Sequence, residues 1–323
     1  MILKFVCVLS GECVELSLAE LRAYICAQGS FFEVFERDDR VVVFRARDDV
    51  DFSGLALVRE VCLFFGDEVA SVDCAKLCGK VKVRGKKIGG GGFCGVADVE
   101  RKVGKRLYDS GFKVDFSSDC VVRVYVTENK CFFGKVVCSI DKKGLRGRDA
   151  KHRPYFACGT LNAVDARAFV NLLRCSKGDR ILDPFCGSGA FLVEAGLLGI
   201  DVFGCDICVK HVFWGRRNLL HYGVARSKLF LMDALDTGCL KKKFDGVVCD
   251  LPWGKSTVMK DDKEKVYRGF MRVLPKVLKK GKYAVVACDV AELWCPAELK
   301  LVERFEIYVH RSANRYVYVF QRK

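Results

Sequence analysis

The chain has 323 residues, 51% of them hydrophobic and 29% charged, and a formal net charge of +15. That length suits two or three domains, and that composition excludes a disordered or low-complexity chain. No apolar run approaches the roughly 20 residues of a membrane span, and the first one, broken by Lys4 and followed by Ser10-Gly11, is too short for a secretory signal. The 19 cysteines sit mostly inside apolar runs such as Val6-Cys7-Val8 and Val248-Cys249, where cysteine acts as a small buried hydrophobe. Their odd number and the missing signal point to a reducing, cytoplasmic setting rather than a disulfide framework. The close pairs Cys74/Cys78 and Cys205/Cys208 lack the further ligands that zinc requires, so no metal site is expected.

Charge is distributed unevenly. Residues 1–75 hold 7 Lys and Arg against 14 Asp and Glu, whereas residues 76–148 hold 18 against 7. A basic block beside an acidic one suggests a localised polyanion footprint, with a merely basic surface as the alternative.

In chain order, residues 2–9 read as a strand and 17–27 as a helix, with Leu18, Leu21 and Ile25 at helical spacing. Residues 32–35 and 41–44 suit a hairpin, and 55–65 a second helix, giving an α+β region of ferredoxin-like size over 1–75. Lys80-Val-Lys-Val-Arg-Gly-Lys-Lys87 alternates basic and apolar positions as a strand would. The glycine run 89–92 lacks the Lys-Ser/Thr of a phosphate loop and reads as a plain loop. A helix over 96–110 turns Arg101, Lys102, Lys105 and Arg106 outward, and strands over 121–126 and 133–140 precede Lys142-Lys-Gly-Leu-Arg-Gly-Arg148. The stretches Val81-Lys-Val-Arg84, Val99-Glu-Arg-Lys-Val-Gly104, Val122-Arg-Val-Tyr125 and Gly134-Lys-Val-Val-Cys-Ser-Ile-Asp141 make residues 76–150 resemble a THUMP domain, an RNA-binding module of tRNA-modifying enzymes. The candidate RNA contacts are Lys82, Arg84, Lys86, Lys102, Arg106, Arg146 and Arg148.

A linker over 151–161 is marked by Pro154. A helix over 162–174 follows, and strands then alternate with helices from Asp179 onward, the rhythm of a doubly wound parallel sheet. An antiparallel hairpin over 301–309 and 316–320, turning at 312–314, closes the chain as Rossmann-like methyltransferases close and dehydrogenases do not.

The first strand of this sheet runs into Asp183-Pro-Phe-Cys-Gly-Ser-Gly189, where Gly187 and Gly189 permit a tight turn and close approach by a ligand. Asp206 ends the second strand, where a carboxylate can accept ribose hydroxyls, and Asp233 ends the third, where it can accept an adenine amine. Singly, either acid could instead be a helix cap or a solvated side chain. Asp250-Leu-Pro-Trp253 ends the fourth strand and resembles the Asp/Asn-Pro-Pro-Tyr/Phe tetrad of amino-methyltransferases, with Leu251 and Trp253 as departures. An exocyclic amine has its lone pair delocalised into the ring. The Asp250 carboxylate and the Leu251 carbonyl can accept its hydrogens, Pro252 restrains the backbone, and Trp253 offers a stacking face. Gly254-Lys-Ser-Thr257 mimics the end of a P-loop, but Cys249 occupies the earlier glycine position. The histidines at 152, 211, 221 and 310 fit no nucleophile motif, and His211 reads as a helix-surface residue.

With its parts in this order, including Lys151-His-Arg-Pro-Tyr155 and Gly159-Thr-Leu161, the chain resembles the THUMP-containing tRNA guanine-N2 methyltransferases over residues 76–323, especially those acting on guanine at tRNA position 10. The resemblance implies an α/β fold with a class I methyltransferase sheet over 162–323. It implies S-adenosylmethionine held by Thr160, Asp183, Phe185, Gly187, Gly189, Asp206 and Asp233. The target amine would lie at Asp250–Trp253, one or two methyls would be transferred, and a small zinc-ribbon activator protein could assist. Rival readings are a guanine-N2 enzyme acting elsewhere on tRNA or rRNA, an adenine-N6 or protein-glutamine methyltransferase, and a non-catalytic RNA-binding subunit.

Overall fold

The computed structural model describes residues 1–90, 92–155, 159–240, 242–254, 262–310 and 313–323. Part of the linker (156–158), one glycine of the 89–92 run, the P-loop-like 255–257 and Ser312 of the expected turn lie outside the described residues. The chain forms two compact units, Met1–Asp141 and Lys142–Lys323. No helix among the described residues is long and apolar enough to cross a membrane.

The first unit contains β1 (Ile2–Leu9), α1 (Val14–Ala27), β2 (Glu33–Asp38), β3 (Val41–Arg47), β4 (Val58–Gly66), β5 (Lys80–Lys87), α2 (Val96–Asp109), β6 (Lys113–Val114), β7 (Val121–Val126) and β8 (Cys131–Ser139). These strands make one eight-stranded sheet in the order β2-β3-β1-β4-β8-β7-β5-β6. The expected helix over 55–65 is instead β4, which pairs with β1 on one side and β8 on the other. A strand buried in the middle of a sheet reads as a nearly continuous apolar run, which periodicity cannot separate from a buried helix. The expected border near residue 75 therefore falls inside a sheet, because β4–β8 pairing crosses it. One face of β5, through Val81 and Val83, packs against Val99, Val103 and Leu107 of α2.

The second unit contains α3 (Lys142–Arg146), α4 (Ala163–Leu172), β9 (Arg180–Asp183), α5 (Ala190–Leu197), β10 (Asp201–Asp206), α6 (Val209–His221), β11 (Ser227–Leu231), β12 (Phe244–Asp250), α7 (Lys263–Val277), β13 (Leu278–Cys288), β14 (Leu299–His310) and β15 (Ala313–Arg322). Its seven-stranded sheet runs β11-β10-β9-β12-β13-β15-β14. β11 through β13 are parallel, and β15 is antiparallel to both β13 and β14. This is the class I methyltransferase sheet that the strand–helix rhythm and the terminal hairpin led us to expect. Strand order reverses between β9 and β12, so the crevice at their carboxyl ends is the natural ligand site.

Residues 142–150 belong to this second unit, not to the basic block before it. Arg148 corrects the expectation of an RNA contact. Its guanidinium forks onto Glu194 at 2.7 and 2.8 Å, and Arg167 donates to the same fully buried carboxylate at 3.0 Å. A buried carboxylate must be paired to be tolerated, and that demand turns Arg148 inward. Arg146, on α3, remains exposed.

Candidate active site

The crevice is built first by the loop leaving β9. Gly187 and Gly189 have φ of +46° and +84°, left-handed values that side-chain-bearing residues rarely adopt. Gly189 caps α5, and its N–H donates to the Cys186 carbonyl at 2.7 Å. Asp206, at the end of β10, accepts from the Gly187 N–H at 2.9 Å and from the Cys208 N–H at 2.8 Å. The second strand's acid thus pins the first strand's loop. His211 Nδ1 lies 3.2 Å from the same carboxylate, and that hydrogen bond raises the histidine pKa against the opposing effect of burial. A spacing of five residues from Asp206 into the first turn of α6 was the available signal for His211, which lines the cleft rather than the outer surface.

Asp183 is 1% exposed and accepts from the Phe185 N–H at 3.1 Å. Burial pushes its pKa well up. The Phe185 N–H opposes this, while the charges of Asp206 and Asp250 add to it. Phe185 meets Phe270 of α7 edge to face, with ring centroids 5.2 Å apart. Thr160 Oγ1 lies 3.4 Å from Ser188 Oγ, which brings the linker's end to the glycine loop.

The other wall is the tetrad after β12. Asp250 accepts from the Trp253 indole N–H at 3.2 Å and from an Arg315 guanidinium N–H at 3.0 Å. Burial raises the Asp250 pKa, and Arg315 and Trp253 counter it. Leu251 is buried in the core, with its N–H on the Ala287 carbonyl at 2.8 Å. The Pro252 carbonyl lies 3.1 Å from the Tyr267 hydroxyl, which is also 3.0 Å from Asp289. The tetrad is therefore tied to α7 and β13 at the backbone and to β15 at the side chain. Neither Tyr267 nor Arg315 stood out in the sequence, because no local motif surrounds them.

These elements enclose one cleft of about 630 Å³, lined by Gly159, Thr160, Asp183, Phe185, Gly187, Asp250–Trp253, His211, His310 and Arg315 among others. Asp206 is bonded to two of these lining residues, Gly187 and His211. Asp233, one strand further out, caps a short 3-10 helix by accepting from the Leu235 N–H at 3.0 Å. Asp183, Asp206 and Asp233 thus follow the carboxyl ends of three adjacent strands, but only Asp183 lines this cleft. The acids that line the cleft are Asp183 and Asp250, and a cation bound beside them would favour their ionised forms. A carboxylate has about four acceptor positions, so Asp250 keeps capacity for an amine after Arg315 and Trp253 are served.

In the first unit the expected RNA contacts divide between two faces. Lys82, Arg84 and Lys86 point away from α2, as strand alternation requires, while Lys102 is exposed on α2 itself. Arg84 stacks over exposed Phe116 at 4.8 Å, and Lys86 stands among Arg59, Glu60, Arg40 and Arg123. Arg106 serves the fold, donating to the carbonyls of Ala70 at 2.9 Å and Val72 at 3.4 Å. Its place on the polar side of the helix did not reveal that the chain before β5 would lie within its reach.

A family model described as the RMKL-like methyltransferase domain matches residues 150–310. A tRNA (guanine(10)-N2)-dimethyltransferase of Methanothermobacter thermautotrophicus is 31% identical, aligned over 99% of this chain and 100% of its own length. The enzyme of the same description from Pyrococcus abyssi is 30% identical over 96% of this chain and 97% of its own. Among solved structures, TrmN from Thermus thermophilus superposes with a TM-score of 0.56 at 22% identity, covering 99% of this chain and 100% of TrmN, a likeness of fold.

Proposed function

Because this chain belongs to the tRNA guanine-N2 methyltransferase family, we propose that it methylates the exocyclic N2 amine of a guanosine in tRNA, at position 10, using S-adenosylmethionine. The observation that carries this reading is the meeting of two walls in one cleft, a glycine loop under Asp183 and a tetrad whose carboxylate is already oriented.

The residues present fit this methyl donor. Its ammonium and sulfonium charges suit a wall holding Asp183 and Asp250, and the row of acids at the ends of β9, β10 and β11 suits an elongated nucleoside. Asp183 and Thr160 would hold the methionine part, Gly187 and Gly189 would admit the backbone of the ligand, Phe185 would shape the floor, Asp206 would accept the ribose hydroxyls, and Asp233 would take the adenine amine. When bound, S-adenosylmethionine supplies a methyl on a sulfonium sulfur that retains the bonding electron pair. Asp250 and the Leu251 carbonyl accept the two amine hydrogens of guanine, aiming the nitrogen lone pair, and Trp253 stacks the base. Positioning of this kind can supply about 7–11 kcal/mol of the barrier. Asp250 or water takes the proton that the methylated nitrogen sheds.

The first unit would act as the THUMP module that captures the tRNA, through Lys82, Arg84 and Lys86 on one face and Lys102 on the other. β11 stands at the edge of its sheet with Phe230 and Leu231 exposed. Strand addition there is how a small zinc-ribbon activator would dock.

Incubation with methyl-labelled S-adenosylmethionine and unmodified tRNA, followed by nucleoside mass spectrometry, tests the reading. N2-methylguanosine or its dimethyl form at position 10 is expected. Label on protein, on adenine, or nowhere would overturn it, and N2-methylguanosine at another position would overturn the position alone.

A further inference from the structure

We propose that Arg315 is the positioning residue of this transfer: reaching in from β15, it fixes the Asp250 carboxylate as an anion in one orientation and holds the Trp253 ring beside it. The inference rests on the reading of Asp250 as acceptor for the target amine and extends it to a residue 65 positions away.

Register explains how the two meet. Asp250 pairs with Ala287, and Ala287 pairs with Val317 on the antiparallel β15. Arg315 lies two residues past Val317 toward the carboxyl edge of the parallel strands, so its side chain shares a face with Val317 and ends at the crevice. It is 9% exposed there and lines the cleft. One guanidinium nitrogen donates to Asp250 at 3.0 Å, and the guanidinium carbon lies 4.9 Å from the centre of the Trp253 ring. Trp253 in turn donates to the other Asp250 oxygen at 3.2 Å. Arginine, carboxylate and indole form a closed triangle, each member held by the other two.

The triangle matters because the surroundings favour a neutral acid. Asp289 after β13, itself paired with Lys263 of α7 at 2.9 Å, faces Asp250 with like charge, while burial favours the neutral form of the neighbouring Asp183 on β9. Tyr267 of α7 and the thiols of Cys249 and Cys288 are neutral neighbours, and His310 of β14 lines the same cleft. Among the described residues, Arg315 is the cation in ion-pair contact with Asp250. A protonated Asp250 would lose acceptor strength toward the amine hydrogens, and it would offer no charge to the nitrogen as that atom becomes positive on gaining the methyl. The planar guanidinium can both bond the carboxylate and lie over the indole, which an ammonium cannot do as well.

Arg315→Met and Arg315→Lys test this through the pH dependence of kcat. Activity that needs ionised Asp250 falls as pH drops through its pKa. Loss of Arg315 should therefore move the acid limb of Arg315→Met to higher pH by one unit or more, about a tenfold loss on that limb. Arg315→Lys should restore the limb and recover only part of kcat. The affinity for S-adenosylhomocysteine should change less than threefold in both. A second readout needs no methyl donor: the pH titration of tryptophan fluorescence in the free protein, with Trp253→Phe identifying the reporting ring. Its midpoint should rise in Arg315→Met. An unmoved limb and an unmoved midpoint would overturn the proposal, as would loss of S-adenosylhomocysteine affinity in place of kcat. If Arg315→Met fails to fold, Arg315→Gln carries the same neutral-side-chain test. If the wild-type protein transfers no methyl to tRNA, the proposed function fails, while the fluorescence midpoint still decides whether Arg315 sets the charge of Asp250.

Discussion

The two walls of the cleft are held by different means. On the glycine-loop side, carboxylates accept from backbone N–H groups close in sequence or one strand away, as Asp183 does from Phe185 and Asp206 does from Gly187 and Cys208. On the tetrad side, Asp250 is held by side chains, one of them from the far end of the chain. Backbone donors cannot rotate away, so the first wall is stiff by construction. The second depends on side chains that hold one another, and so its charge and orientation can be tuned by substitutions far from the motif.

Substitutions should separate the two walls. The largest effect is expected for Asp250→Ala, which removes the acceptor and leaves Arg315 without its partner. Transfer should fall by roughly 100- to 1,000-fold, in line with losses on deleting a group that acts on developing charge. Calorimetric affinity for S-adenosylhomocysteine should stay near wild type. A collapse of that affinity would show that the walls are not separable. Asp206→Ala acts on the opposite wall and should weaken S-adenosylhomocysteine binding by roughly 10- to 100-fold, the worth of hydrogen bonds to a charged group. Unchanged binding would remove Asp206 from the ligand.

A gentler probe is pH. Asp183 is raised by burial and by its acidic neighbours. A cationic ligand favours its ionised form, so S-adenosylmethionine affinity should climb with pH through that raised pKa, with proton release on binding. Titration calorimetry in two buffers of different ionisation enthalpy reads the released proton. A flat affinity with no proton released would mean that the ligand does not change the protonation of Asp183. The smallest effects belong to the first unit. Arg84→Glu and Lys102→Glu, on opposite faces of β5 and α2, should each lower the salt slope of tRNA binding by about one if the residue touches a phosphate. The face whose variant leaves the slope unchanged is not the RNA face.

Much of this was legible from the chain alone, and for a physical reason. β5, β7 and the strands of the second unit announced themselves through period-two alternation or through short apolar runs between turn residues. The Asp183–Gly189 loop and Asp250–Trp253 are contiguous motifs whose function follows from backbone geometry, so order along the chain is enough to place them. β4 escaped because its run Val61–Phe65 is apolar on both faces, which erases periodicity. The inward turn of Arg148, the tie of Arg106 to the chain at 70–72, the contact of His211 with Asp206 and the reach of Arg315 to Asp250 escaped for a different reason. A basic side chain looks alike in sequence whether it meets water, RNA or a buried carboxylate. Local residue chemistry determined the elements, the glycine loop and the acids at the strand ends. Only the tertiary structure decided which cations are committed to those acids, because pairing partners 46 and 65 residues apart are chosen by strand register and by the need to neutralise buried charge.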